Sequence, residues 1–240
     1  MKMKLHIGCL LVAIMCGFPD HSRAQELITN GGFESGFTGW TRVDQLGSDG
    51  TWAQQSGTTS PVNGFTVPSP PDPTQAAMTD GQGPGSHLLY QDFTVPATPT
   101  GAAFQFQLYI NNHAIDFFSP ATLDFSTAVL NQQFRVDILS PAADPFSVSA
   151  SDILLNIYQT QPGNPLVSGY NTISTDLTTL FSAHPGETLR LRFATADNVN
   201  FFNIGIDQVS IIVPELTSLI LVTSGLTVFG LFLVRQAKGK

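Results

Sequence analysis

Four alternating stretches present polar side chains suited to hydroxyl-rich ligands. Gln105, Gln107 and Tyr109 alternate with Phe104, Phe106, Leu108 and Ile110. Arg135 and Asp137 alternate with Phe134, Val136 and Ile138; Asn156 and Tyr158 with Ile153, Leu155 and Ile157; Arg190 and Arg192 with Leu189, Leu191 and Phe193. Amides and guanidinium groups hydrogen-bond sugar hydroxyls, aromatic rings pack on the apolar faces of pyranoses, and Arg grips carboxylates of acidic polysaccharides bidentately. Trp52, just ahead of a Pro-rich stretch, offers an indole platform for a sugar ring, whereas Trp40 reads as core. The same pattern also suits a solvated sheet face on which Arg135, Arg190 and Arg192 meet Asp side chains, in pairs worth little when exposed.

Catalytic chemistry is poorly represented. Between residues 25 and 212 the histidines are His87, His113 and His184, with no metal-ligand spacing and no Gly-x-Ser-x-Gly elbow. Both cysteines, Cys9 and Cys16, lie in the first 24 residues, so residues 25–212 have no thiol chemistry and no disulfide. Acids are numerous, but a glycosidase pair is defined by geometry and not by count. The sequence predicts a protein that is not an enzyme.

The elements that must position these residues are strands. Period-two alternation at 104–110, 134–138, 153–158, 189–193 and 209–211 predicts half-buried strands. Turn clusters such as Gln161-Pro162-Gly163-Asn164-Pro165 and His184-Pro185-Gly186 separate them, and no segment carries a helical apolar stripe. The stretch 56–73, rich in Pro, Ser, Thr and Gly, reads as a long surface loop, because repeated Pro blocks pairing. The expected body, 25–212, is an all-β antiparallel β-sandwich or jelly roll.

The termini differ in kind. Residues 1–24 read as a secretory signal peptide: Lys2 and Lys4, an apolar run from Leu5 to Phe18, then Ser22-Arg23-Ala24 before the cut. An uncleaved anchor, or a lipoprotein through Cys16, are the other readings. Leu216 to Val234 holds 19 residues without a charge, enough for a transmembrane helix of roughly 28 Å at ~1.5 Å per residue. Arg235, Lys238 and Lys240 follow as a cytoplasmic anchor, which places the body outside. Removing the ends leaves Arg42, Arg135, Arg190 and Arg192 against sixteen acids, so the body carries −12 where the chain carries −8. An acidic body without Lys excludes nucleic acid as a partner.

Two resemblances add to this. Val213-Pro214-Glu215-Leu216, the apolar run and the basic end (213–240) resemble a PEP-CTERM sorting signal, with Leu216 where the motif has its second Pro. That resemblance implies processing by an exosortase and association with exopolysaccharide and biofilm matrix. Asn30-Gly31-Gly32-Phe33-Glu34 with Gly39-Trp40, and the late Ile206-Asp207-Gln208-Val209-Ser210-Ile211, resemble the first and last strands of galactose-binding-like jelly rolls, which include carbohydrate-binding modules. This implies first and last strands side by side and a structural Ca²⁺ on Glu34, the Gly32 carbonyl and Asp207, oxygen ligands suited to that ion. If the ion is absent, Glu34 caps a turn and Asp207 bonds backbone amides.

The expectation is an exported, membrane-tethered, non-catalytic envelope or matrix protein with a carbohydrate-binding-like sandwich. A calcium-stabilised adhesion protein that binds protein partners is the alternative, and a glycan hydrolase the third reading.

Overall fold

The computed structural model describes residues 24–61, 63–79 and 83–214. The expected signal segment to residue 23, Glu215, the helix 216–234 and the basic residues Arg235, Lys238 and Lys240 lie outside the described residues.

The elements are β1 (Ala24–Glu26), β2 (Thr41–Asp44), β3 (Ala53–Ser56), β4 (Gln75–Met78), β5 (Gly85–Thr94), β6 (Ala103–Asn112), β7 (Gln132–Leu139), β8 (Ile153–Gln159), β9 (Val167–Asp176), α1 (Thr178–Ala183), β10 (Thr188–Asp197) and β11 (Phe202–Pro214). The first sheet runs β3-β4-β11-β6-β9, with β1 also pairing β11; the second runs β2-β5-β10-β7-β8. Every pairing is antiparallel. The eight strands β4 to β11 therefore form two facing four-stranded rows, β4-β11-β6-β9 and β5-β10-β7-β8, the winding of a jelly roll.

The alternating apolar residues explain the sandwich. Phe104, Phe106, Leu108 and Ile110 on β6 meet Phe134, Val136 and Ile138 on β7 and Leu189, Leu191 and Phe193 on β10 in one buried core. Phe106 of the first sheet touches Phe193 of the second edge-on, with ring centroids 5.3 Å apart. Each such fully buried side chain contributes on the order of 1.5–3 kcal/mol.

The first and last strands are neighbours, as expected. Ala24, Gln25 and Glu26 face Pro214, Val213 and Ile212. The last strand, expected from the alternation at 209–211, runs to Pro214, and Val213 is buried. The opening motif is a turn satisfied by its own Asn. Asn30 Nδ2 donates to the Gly36 and Thr38 carbonyls, its Oδ1 accepts from Ser35 N, and its carbonyl accepts from Trp40 Nε1. Gly31 packs flat on β11: a Cβ there would stand 1.8 Å from the Val209 carbonyl oxygen.

The structure adds what alternation did not announce. The first half of β5 is buried on both faces, and β9 alternates hydroxyl residues around Ile173, so neither shows an apolar period. The helix α1 spans six residues, too short for a stripe, and plugs one end of the core with Phe181, whose ring stacks on Phe93. The 56–73 stretch is not a free loop. It folds as a flap over the outer face of the first sheet, braced by a Thr59–Thr66 bridge, with Val67 buried against Met78, Tyr109 and Tyr170.

Candidate functional site

The nine predicted ligand residues do not share one face. Gln105, Gln107 and Tyr109 lie on β6 in the first sheet; Arg135, Asn156, Tyr158, Arg190 and Arg192 lie on β7, β8 and β10 in the second. A sandwich turns its two outer faces in opposite directions, so period-two alternation cannot say which strands share a surface. Trp52 is fully buried, which removes it as a sugar platform. Tyr158 sits opposite the core residue Val136 and packs beside Phe134, because a register shift between Val136 and Asp137 moves it out of step with Asn156. Tyr109 lies buried under the flap, whereas Gln105 is exposed and Gln107 donates to Thr172 Oγ1 at 2.9 Å.

The arginines are committed inside the molecule. Arg135 grips Asp137 through Nε at 2.7 Å and Nη2 at 2.8 Å, and Asn156 Nδ2 donates to the same carboxylate. Arg192, 0% exposed, reaches Asp137 with one nitrogen and the Pro145 and Ser147 carbonyls with another. Burial pushes Asp137 up, but Arg135 and Arg192 outweigh it and hold the carboxyl below the usual range. Arg190 lies over the Tyr90 ring and chelates Asp92 at 2.7 and 3.0 Å. The predicted cationic face is thus a buried Arg135–Asp137–Arg192 cluster, to which the loop carrying Pro145 and Ser147 adds two carbonyls, and a surface Arg190–Asp92 pair.

Of the predicted cation ligands, Gly32 and Asp207 are brought together, and Glu34 lies close enough for its charge to act on Asp207. A register shift between Asp207 and Ser210, with Gln208 at φ 50°, puts a bulge in β11 against the opening turn. Asp207 is buried; its Oδ1 accepts from Gln208 N and its Oδ2 from Asp72 N. Glu34 accepts from the Thr74 hydroxyl and from the backbone of Thr74 and Gln75, contacts that hold its carboxyl low. Burial, reinforced by the Asp72 and Glu34 charges, raises Asp207 to about 7 against the amide bonds that favour its ionised form. Gly32 lies between carboxylates: a Cβ there would stand 3.5 Å from Asp72 Oδ2 and 3.9 Å from Asp207 Oδ1. Among the described residues no three acidic, His or Cys side chains already converge as a metal cage. Asp72 escaped the sequence reading because it belongs to the Pro-rich stretch, and only the folding of that stretch over β11 delivers it.

A second group is visible only in three dimensions. At the end of the sandwich where β11 begins, Phe65 from the flap, His113 from the β6–β7 loop and Phe201 from the β10–β11 turn form an aromatic cluster. Phe65 stacks on His113 at 4.9 Å, and Phe201 meets them edge-on at 5.8 and 6.3 Å. His113 and Phe201 are exposed. The cluster is pinned by its backbone: His113 N donates to the Phe201 carbonyl, Asn200 Nδ2 to the His113 carbonyl, and Asn63 Nδ2 to Asn203 Oδ1. Phe201 also borders an open cleft of about 190 Å³ with Gly83, Pro84 and the 197–200 turn. Of the other described histidines, His87 is buried with Nδ1 2.8 Å from Asp44 Oδ1 and its Nε2 without a hydrogen-bond partner, and His184 pairs with Glu187.

No family model and no curated protein matches the chain. Among solved structures, it is similar to the K3 cleaved adhesin domain of Lys-gingipain from Porphyromonas gingivalis W83, at 15% identity and TM-score 0.45, over 80% of this chain and 100% of that one. It is also similar to TmCBM61 in complex with β-1,4-galactotriose, at 9% identity and TM-score 0.43, over 78% and 97%. A third is the enzymatically active domain of bacteriophage CBA120 tailspike protein 4, at 12% identity and TM-score 0.44; it covers 78% of this chain, and this chain spans 21% of it.

Proposed function

We propose that the chain is a non-catalytic, glycan-binding β-sandwich exported to the cell envelope or matrix. The carrying observation is the aromatic cluster of half-buried Phe65 with exposed His113 and Phe201, brought together from three loops beside an open cleft. Rigid rings facing solvent stack on the apolar faces of pyranoses at little entropic cost. The ligand class follows from the charge. Arg135 and Arg192 share Asp137 and Arg190 grips Asp92, so each guanidinium is already bound to a carboxylate of the protein, and the reading is a neutral polysaccharide instead of an acidic one. The exposed amide of Gln105 is a supplementary contact on a different face.

The export reading rests on the sequence: a signal peptide at 1–24, a PEP-CTERM-like end with a spanning segment at 216–234, exosortase processing at Pro214-Glu215, and an exopolysaccharide neighbourhood. Ca²⁺ belongs to the same reading as a structural ion. Glu34, Asp207 and the Gly32 carbonyl would hold it with Asp72 added, and it would supply the positive charge that these carboxylates lack.

Affinity electrophoresis of the full chain in mild detergent, through gels containing neutral or acidic polysaccharides, tests the glycan reading. Retardation by a neutral polymer is expected, with Phe201→Ala weakening it about tenfold while the thermal melt stays unchanged. A chain that no polysaccharide retards overturns it.

A further inference from the structure

The four margins of the two sheets are guarded unequally. β2 is four residues long and carries Arg42 and Asp44. β3 is also four residues, and its Gln55 side chain is taken up by the Gly57 and Pro68 carbonyls of the flap. β8 is broken by two register shifts. Shortness, charge, cover and bulges are the devices that keep edge strands from pairing with other chains. β9 has ten residues and pairs with β6 alone; its one register shift lies near Gly169, and from Asn171 to Asp176 the ladder is regular. Asn171, Thr172, Ile173, Ser174 and Thr175 carry no charge, and no Lys guards the body anywhere.

We infer that β9 pairs antiparallel with β9 of a second copy of this chain, about a two-fold axis at Ile173, to join two six-stranded sheets into one. The sequence around that axis is self-complementary. Thr172 falls opposite Ser174 of the other copy and Asn171 opposite Thr175, hydroxyl and amide pairs that sheets favour. Thr172 and Ser174 are exposed on the outer side, where they face Gln107 and Gln105 of β6. Ile173 is half-buried on the inner side and, with Leu108, Ile110 and Tyr158, borders an open slot of about 260 Å³ between β9 and β8. Pairing at Ile173 brings the two isoleucines together over those slots. Charge selects the place: two bodies of −12 repel, and this strip is free of carboxylates up to Asp176.

Sedimentation of the full chain in mild detergent tests this, with the wild type compared against Thr172→Lys/Ser174→Lys. The double variant sets lysines opposite one another on exposed positions and leaves the thermal melt unchanged. A wild-type dimer is expected, with its dissociation constant raised at least tenfold by the two lysines. An Ile173→Cys chain is expected to gain an oxidised, disulfide-linked dimer band beyond any the wild type shows, because the residue faces itself across the axis. A monomeric wild type overturns the inference, as does a dimer that survives the lysines, such as one held by the apolar 216–234 segment. A lysine-sensitive dimer that Ile173→Cys does not crosslink overturns the axis at Ile173. Glycan retardation is read on a separate gel, so the two proposals fail independently.

Discussion

Asp137 and Asp207 are both fully buried aspartates on neighbouring-strand ladders, one in each sheet, and they sit in opposite electrostatic settings. Asp137 has Arg135, Arg192 and Asn156 around it and is held low. Asp207 has amide donors, Asp72 and Glu34, and is raised to about 7. The first is an internal ion cluster in which two guanidinium groups share one carboxylate, with the buried Arg192 Nε left without a hydrogen-bond partner. The second is a concentration of negative charge with no cation among its contacts, beside a glycine that leaves room between two carboxylates. A buried charge is tolerated when paired and otherwise takes up a proton or a metal. The comparison therefore separates the arginine set, which ties strands of the second sheet together, from the acidic set, where carboxylates meet amide donors and no cation.

The largest effect belongs to the arginine cluster. Arg192→Ala removes one of the two guanidiniums on Asp137, leaves the Pro145 and Ser147 carbonyls without their donor and opens a hole at a fully buried position, at a cost of about 2–5 kcal/mol. Urea unfolding should show that drop, while retardation by neutral polysaccharide persists in the molecules that remain folded. Unchanged stability would break the assignment of Arg192 to structure.

The next effect is the pH slope at Asp207. Its folded value of about 7 lies above the ordinary 3.8, so the folded chain holds this proton more tightly than the unfolded one. Its stabilising contribution is complete below pH 3.8 and is lost as pH rises through 7, on the order of 2–4 kcal/mol in chelator-treated protein. Asp137 acts in the other direction: its contribution is present above the ordinary carboxylate range and lost as pH falls through its depressed value. Thermal melts from pH 4 to 8 should fall steadily up to about pH 7 for the wild type and level off above it, and should lose that slope for Asp207→Asn. Ca²⁺ added at pH 8 should restore the wild-type melt and leave Asp207→Asn unmoved; a melt blind to Ca²⁺ would remove the ion from this site.

The smallest effect sharpens the same contrast. Arg190 and Asp92 form a pair at the surface of the second sheet, and Asp92 is 37% exposed. Arg190→Ala should cost less than about 1 kcal/mol and leave polysaccharide retardation intact. A loss of retardation there would return the glycan to the second sheet.

Much of the scaffold was legible in the residues. Phe104 through Ile110 and Leu189 through Phe193 announced β6 and β10, because a side chain that faces the core must be apolar at every second position. The opening Asn30-Gly31-Gly32 and the closing Asp207-Gln208 marked one junction from two ends of the chain. β5 was not legible, since burial on both faces erases the alternation, and neither was β9, where hydroxyl residues replace apolar ones along an open margin. Phe65, His113 and Phe201 are far apart in sequence and share no period, so no local signal joins them.

The sequence by itself determined which apolar residues of β6, β7 and β10 turn inward, that the body would be strands without disulfides, and that its charge would be strongly negative. Those properties depend on side-chain type and near-neighbour spacing alone. Only the tertiary structure decided which polar side chains meet. It sent Gln105 and Arg135 to opposite faces, closed Arg192 over Asp137, and folded Asp72 onto Asp207. It also gathered three aromatic rings at one end and left β9 bare. Each of these depends on which strands become neighbours and where the long loops lie back over the sheets, and those are settled by packing the whole core at once.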